Sequence, residues 1–98
     1  MKVSALSEAI ALIERGSSVA FGGNTMHRVP VAAVKELVGQ NKNISMIKSA
    51  GSLEVDVLCA AGLAQELTFA YVGYENFGLA PFFRQAVEHG QTVVHEHT

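Results

Sequence analysis

The sequence predicts an α/β fold: a Rossmann-like open parallel sheet of about four strands with flanking helices. Three observations carry that expectation. Helix-like and strand-like stretches alternate as α-β-α-β-α-β-α-β along residues 1–98, which read as one domain. Each strand-helix-strand passage implies a right-handed crossover and a parallel sheet. Val19-Ala20-Phe21 is an unbroken apolar run, the pattern of a parallel strand buried on both faces. Gly22-Gly23 follow directly, and Pro30 suits the first turn of the next helix, where its missing N–H costs little. In an open parallel sheet, ligands bind beyond the carboxyl ends of the strands, which is where this glycine turn falls.

The elements follow in order. Ser4 can cap a first helix whose apolar face is Leu6, Ala9, Ile10 and Ile13, at helical spacing, with Gly16 as its stop. The first strand covers roughly residues 18–22. A second helix starts near Pro30 and turns Val31, Val34, Leu37 and Val38 inward. The polar break 39–43 precedes a strand from Ile44 to Lys48, then a turn Ser49-Ala50-Gly51-Ser52. Ser52 can cap a third helix that includes Val55, Leu58, Cys59 and Ala61 and closes at Gly62. Leu67 to Val72 is rich in aromatic and β-branched residues and reads as the third strand. Residues 73–78 form the loop after it. A fourth helix carries Leu79, Phe82, Phe83, Ala86 and Val87, stops at His89-Gly90, and leads into a strand from Thr92 to Glu96.

Composition narrows the function classes. Hydrophobic residues make up 49% of the chain and charged residues 16%, which is apolar for a small free-standing domain and implies that some of this surface meets another segment or chain. The net charge of -2, with scattered Lys and Arg, gives no basic footprint for nucleic acid. No run approaches the ~20 apolar residues of a membrane span, and the N-terminus lacks the apolar core of a signal peptide. Cys59 is the lone cysteine, so no internal disulfide forms, and a reducing cytoplasm is the expected compartment. In its apolar surroundings, with no basic neighbour in sequence, Cys59 reads as a small buried residue.

The glycine turn is neither a G-x-G-x-x-G fingerprint nor a Walker A loop, since neither the later glycines nor a Gly-Lys-Ser/Thr follows. Asn24 and Arg28 flank it and read either as pocket residues or as capping and solvated ones. Ser49 and its neighbours sit at the ligand end of the second strand, with a composition any turn needs. His95 and His97 alternate on one strand face, with Glu96 opposite; no third and fourth ligand at metal spacing accompanies them, so no metal is expected.

The ordered set resembles the A (alpha) subunit of class I coenzyme A transferases, glutaconate CoA-transferase-like, and specifically its N-terminal part. Arg15-Gly16, Val19-Ala20-Phe21, Gly22-Gly23 and Pro30 occupy the places of that family's glycine-rich signature. Arg28 is more like the glutaconate and steroid-degradation branches than the acetoacetate branch, which has Gly there. Asn24 stands where the family usually has Phe or a similar residue. Tyr71-Val72-Gly73-Tyr74-Glu75-Asn76 resembles the Tyr-Val-Gly-Glu-Asn stretch of 3-oxoacid transferases, with Tyr74 as an extra residue. Glu96-His97-Thr98 resembles the family's Gln-Gly-Thr or Glu-Gly turn, where 3-oxoacid transferases place a Gln that helps stabilise the thioester oxyanion.

The resemblance implies an incomplete sheet, part of a longer alpha chain, that is inactive alone. It implies that a beta subunit supplies a glutamate nucleophile, in a hetero-oligomer acting on acyl-CoA and a carboxylic acid. No cofactor is implied; the coenzyme A thioester is substrate. The expected substrate-binding residues are Gly22, Gly23, Asn24, Arg28, Ser49, Gly73, Glu75 and Asn76, with Glu96 as the catalytic candidate. Two rivals remain: an enzyme of the same fold that hydrolyses a carbon–carbon bond in a ring-bearing CoA thioester, with Glu96 as general base, and a non-catalytic Rossmann-like binding module.

Overall fold

The structure is a computed structural model and describes residues 5–24, 26–74, 78 and 80–97. Among these the chain runs α1 (Leu6–Ala11), β1 (Ser18–Ala20), α2 (Val31–Gly39), β2 (Ile44–Gly51), α3 (Leu53–Ala60), β3 (Ala64–Val72), α4 (Pro81–Glu88) and β4 (Val93–Glu96). The strands pair in parallel in the order β1-β2-β3-β4. The expected open parallel α/β sheet is therefore present.

The helices, however, lie on one side. α2 packs against α1 and α3, and α3 against α4, so they form one layer. Sequential strand order with crossovers of one hand has this consequence. Ile44, Met46, Leu67 and Phe69 face the layer and are buried. Ile47, Ser49, Ala70 and His95 face the other side and are exposed. Two-sided burial of the first strand is corrected accordingly: β1 is an edge strand, Ala20 is exposed, and Val19 and Phe21 are only partly buried against the core.

The core joins Val34 and Leu37 of α2, Ile44 and Met46 of β2, and Val55, Leu58 and Cys59 of α3 to Leu67 and Phe69 of β3. Phe83 of α4 meets Phe69 edge-on, with centroids 5.5 Å apart and planes at 81°. Its neighbour Phe82 is half exposed.

Several boundaries move for identifiable reasons. β2 continues to Gly51, because Ala50 and Gly51 still pair with Tyr71 and Val72; Ser49-Ala50-Gly51 is strand, not turn. β3 begins three residues earlier than expected, since the polarity of exposed Gln65 and Glu66 masks the start of the strand. α1 stops at Ala11, not Gly16. Its end is held from a distance: Lys42 donates to the carbonyls of Ile10 at 3.1 Å and Ala11 at 3.0 Å, a cation at a helix C-terminus. Gly16 instead donates its N–H to the Asn43 carbonyl at 2.8 Å and brings β1 onto β2. The proposed Ser4 cap lies outside the described residues; the N-cap position is Ala5.

Candidate functional site

Three connections meet at the carboxyl edge of the sheet: Gly22-Gly23-Asn24 after β1, Ser52 after β2, and Gly73-Tyr74 after β3. Met26, Val29, Ser52, Leu53 and Tyr74 line a cleft of about 210 Å³ between them. Its position at the strand ends is the one expected for a ligand in this architecture.

The glycine turn is tightly shaped. Gly23 has φ +93°, and a Cβ there would stand 2.4 Å from the Arg28 carbonyl oxygen and 3.1 Å from Lys48 Nζ. Only glycine fits that conformation at that approach. Asn24 and His27 exchange backbone hydrogen bonds of 2.9 and 2.8 Å, closing a small loop. Arg28 follows at φ +52°, a left-handed conformation that costs a non-glycine residue energy, and its side chain is exposed. Replacing Arg28 by Gly is therefore expected to leave stability unchanged or raise it by up to about 1 kcal/mol. Urea unfolding of the variant checks this.

Beneath the turn lies a buried ion pair. Lys48 Nζ is 3.7 Å from Glu54 Oε1, with side chains 1% and 0% exposed. Lys48 also donates to the Gly22 carbonyl, and Glu54 Oε1 accepts the Ser52 N–H at 3.0 Å. Ser52 occupies the N-cap position of α3 without the side-chain cap the sequence suggested; the Glu54 carboxylate meets its N–H instead. Gly51 makes room for this: a Cβ there would be 2.5 Å from Val55 Cγ2.

One helical step onward, buried Asp56 binds the other wall. Its Oδ2 accepts the Tyr74 hydroxyl at 2.9 Å, and its Oδ1 accepts the Phe83 N–H at 2.9 Å, inside the first turn of α4. Burial, then the hydrogen bond to Asp56 and its charge, push the Tyr74 phenol above its ordinary range. α3 thus anchors the connections after β2 and β3 through two acidic residues in its first turn, where the helix dipole favours negative charge, and reaches the turn after β1 through Lys48.

Burial, followed by the charge of Asp56, pushes the Cys59 thiol up to about 12. Cys59 is expected to resist thiol reagents at pH 8 in the folded protein and to react fully after denaturation. Stoichiometric labelling of the native protein would contradict this.

The expected site residues do not all gather at the cleft. Gly22, Gly23, Asn24 and Arg28 belong to the turn after β1. Gly73 is buried and continues the sheet ladder, donating its N–H to the Gly51 carbonyl at 3.0 Å. Ser49 lies on the uncovered face, in a shallow groove with Ile47, Thr68, Ala70 and His97. Glu75 and Asn76 lie outside the described residues. Glu96 is exposed at the end of β4, three strand spacings from β1 in the sheet order, or about 14 Å. His95 is 3.8 Å from Glu66, both half exposed. Among the described residues no three His, Cys, Asp or Glu side chains are grouped to hold a metal.

Lys48, Glu54 and Asp56 are absent from the residues expected at the site, yet the sequence carries their signal. Lys48 shares the strand parity of inward-facing Ile44 and Met46. Glu54 and Asp56 interrupt a helix that is otherwise wholly apolar from Leu53 to Ala60. Buried charges need a partner: Lys48 and Glu54 pair with each other, and Asp56 accepts two hydrogen bonds.

The family model described as Coenzyme A transferase matches residues 3–97. The chain is 36% identical over 87 residues to the A-type subunit of the 3-oxoadipate CoA-transferase from Pseudomonas knackmussii, covering 87% of this chain and 30% of that protein. It is 28% identical over 78 residues to the cholesterol ring-cleaving hydrolase IpdA subunit of Rhodococcus jostii, covering 80% of this chain and 25% of that protein. A chain of the decarboxylase AibA/AibB superposes with a TM-score of 0.90 at 31% identity, over 97% of this chain and 38% of that one. The chain therefore spans well under half the length of each of these proteins. No helix among the described residues is long and apolar enough to cross a membrane.

Proposed function

This chain belongs to the coenzyme A transferase family, and we propose that it is the N-terminal portion of an A-type subunit that moves coenzyme A between an acyl-CoA thioester and a carboxylic acid. The observation that carries this reading is the cleft at the carboxyl edge of the sheet, bounded by Met26 and Val29 of the loop after β1, by Ser52 and Leu53, and by Tyr74. Its apolar side chains, Met26, Val29 and Leu53, suit the acyl portion of the thioester. The turn after β1 supplies backbone donors suited to negative charge on the thioester oxygen.

The nucleophile comes from a second, beta-type chain as a glutamate. Its carboxylate attacks the thioester carbonyl and releases coenzyme A thiolate, leaving an acyl anhydride. The thiolate then attacks the glutamyl carbonyl of that anhydride, expelling the first acid and leaving a glutamyl-CoA thioester. A second carboxylic acid reverses the sequence and takes the coenzyme A. Asn24 and Arg28 flank the cleft through the loop that carries Met26 and Val29, and Glu75 and Asn76 follow Tyr74 in sequence and contribute to the binding region. The assembly works in the reducing cytoplasm as a hetero-oligomer with no resident cofactor.

A second reading is favoured by Glu96, which stands where 3-oxoacid transferases place Gln: hydrolysis of a ring carbon–carbon bond in a cyclic CoA thioester, with Glu96 as general base. Acyl-CoA consumption by the purified native assembly separates the two. Transfer predicts turnover only when an acceptor acid is added; turnover of a cyclic CoA thioester without any acceptor, abolished by Glu96→Gln, would establish the hydrolase instead.

A further inference from the structure

We propose that Lys48 and Glu54 are positioning residues that hold the Gly22–Gly23 peptide so that the Gly23 N–H faces the ligand as a hydrogen-bond donor. The inference rests on the reading that the thioester binds at the carboxyl edge of the sheet, and it begins with one peptide plane. Lys48 donates to the Gly22 carbonyl from inside the fold. The peptide is trans. In a trans peptide the C=O and the following N–H point in opposite directions. The Gly23 N–H is therefore directed away from Lys48, and Gly22 beside it is exposed. No backbone acceptor for it is present among the described residues.

The device that sets this orientation is itself fixed. Lys48 rises from the paired portion of β2, and Glu54 lies in the first turn of α3. Glu54 meets Lys48 Nζ at 3.7 Å and the Ser52 N–H at 3.0 Å. Both side chains are buried, so water does not compete for either. The positive φ of Gly23 and its closeness to Lys48 Nζ leave no room for a side chain that would screen the donor. A chain needing only stability at this point would be served as well by two apolar side chains, because a well-packed apolar pair commonly matches or exceeds a buried ion pair. A pair retained at a ligand-facing turn is accounted for by the carbonyl it orients.

That comparison supplies the test. In the native assembly, Lys48→Met alone is expected to lower both stability and kcat, since it strands Glu54. The double variant Lys48→Met/Glu54→Met is expected to regain most of the thermal stability. Its kcat for acyl-CoA should remain about tenfold to a hundredfold below the parent, with KM changed by less than about threefold, as for a misaligned donor to a developing oxyanion. Recovery of kcat together with stability would overturn the proposal and leave the pair a packing element. The amide resonance of Gly23 gives a readout independent of acyl-CoA chemistry. It should shift in the double variant while the amides of Met46 and Leu67 stay in place; an unmoved Gly23 amide would also overturn the proposal. If the parent assembly turns over no thioester, the functional reading fails, and the Gly23 resonance still decides whether the pair orients the turn.

Discussion

Gly23→Ala is expected to destabilise the protein by about 3 kcal/mol or more and to abolish ligand binding at the cleft, whereas Gly22→Ala is expected to cost less than about 1 kcal/mol. The two glycines are adjacent, and no composition rule separates them. Their surroundings do. A Cβ on Gly22 would meet nothing within 4 Å, while one on Gly23 would stand 2.4 Å from the Arg28 carbonyl oxygen at φ +93°. The side chain thus meets two penalties at once, a strained backbone and contact with a main-chain atom that cannot swing aside. Relief requires the loop through Asn24, His27 and Arg28 to open, and that loop is one wall of the cleft. Urea unfolding of the pair, followed by both fluorescence and circular dichroism, reads the difference directly. Equal losses in the two variants would show that the turn is not held in this conformation.

The second large effect is expected at Asp56. Asp56→Ala removes the acceptor of both the Tyr74 hydroxyl and the Phe83 N–H. Each of these partly buried donors, left without a partner, costs about 1–3 kcal/mol, so a loss of about 2–6 kcal/mol is expected. Tyr74→Phe takes away only one of the two bonds and should cost about 1–2 kcal/mol. The two changes share a contact, so the double variant should be less destabilised than the sum. Asp56→Asn keeps an acceptor but removes the charge. Since that charge and hydrogen bond raise the Tyr74 phenol after burial does, its titration should move down while remaining above the ordinary range. A full return to the ordinary range would mean that burial is not the first cause. Additive losses for Asp56→Ala and Tyr74→Phe would mean that the hydroxyl and carboxylate do not act together.

The backbone architecture is legible in the sequence because alternation of period is a strong signal. Apolar residues at helical spacing in α2 and inward-facing Ile44, Met46, Leu67 and Phe69 place the elements correctly. The one-sided helix layer is not legible, although it follows from sequential pairing, because strand order is not written in any local pattern. Val19-Ala20-Phe21 looks doubly buried for the same reason: an apolar run does not distinguish a central strand from an edge. The Gly22-Gly23 turn is legible as the ligand-end turn, but not which glycine is sterically required; that depends on the return of Arg28 and the approach of Lys48 across the sheet.

The supports of the cleft are the least legible part. Ser52 reads as a cap from its type, whereas its own N–H is taken by Glu54, two residues ahead. Lys48 and Asp56 reach groups 26 and 18 residues away in sequence, at Gly22 and Tyr74. Such pairings are set by tertiary packing, and the only local trace is a charge on an apolar face. Ser49 and Glu96 illustrate the converse. Both fall near strand ends in sequence, but β2 runs on past Ser49, and β4 lies at the opposite edge of the sheet from β1.

The measurement that tests the central claim most directly is trapping of the covalent intermediate. The native assembly, with every chain that copurifies, is incubated with acyl-CoA and then treated with borohydride, and each chain is weighed intact. The account predicts inactivation only when acyl-CoA is present, with the reduced glutamyl residue on a second chain and none on this one. Modification of this chain's own glutamates, or acyl-CoA transfer that survives the treatment undiminished, would contradict it.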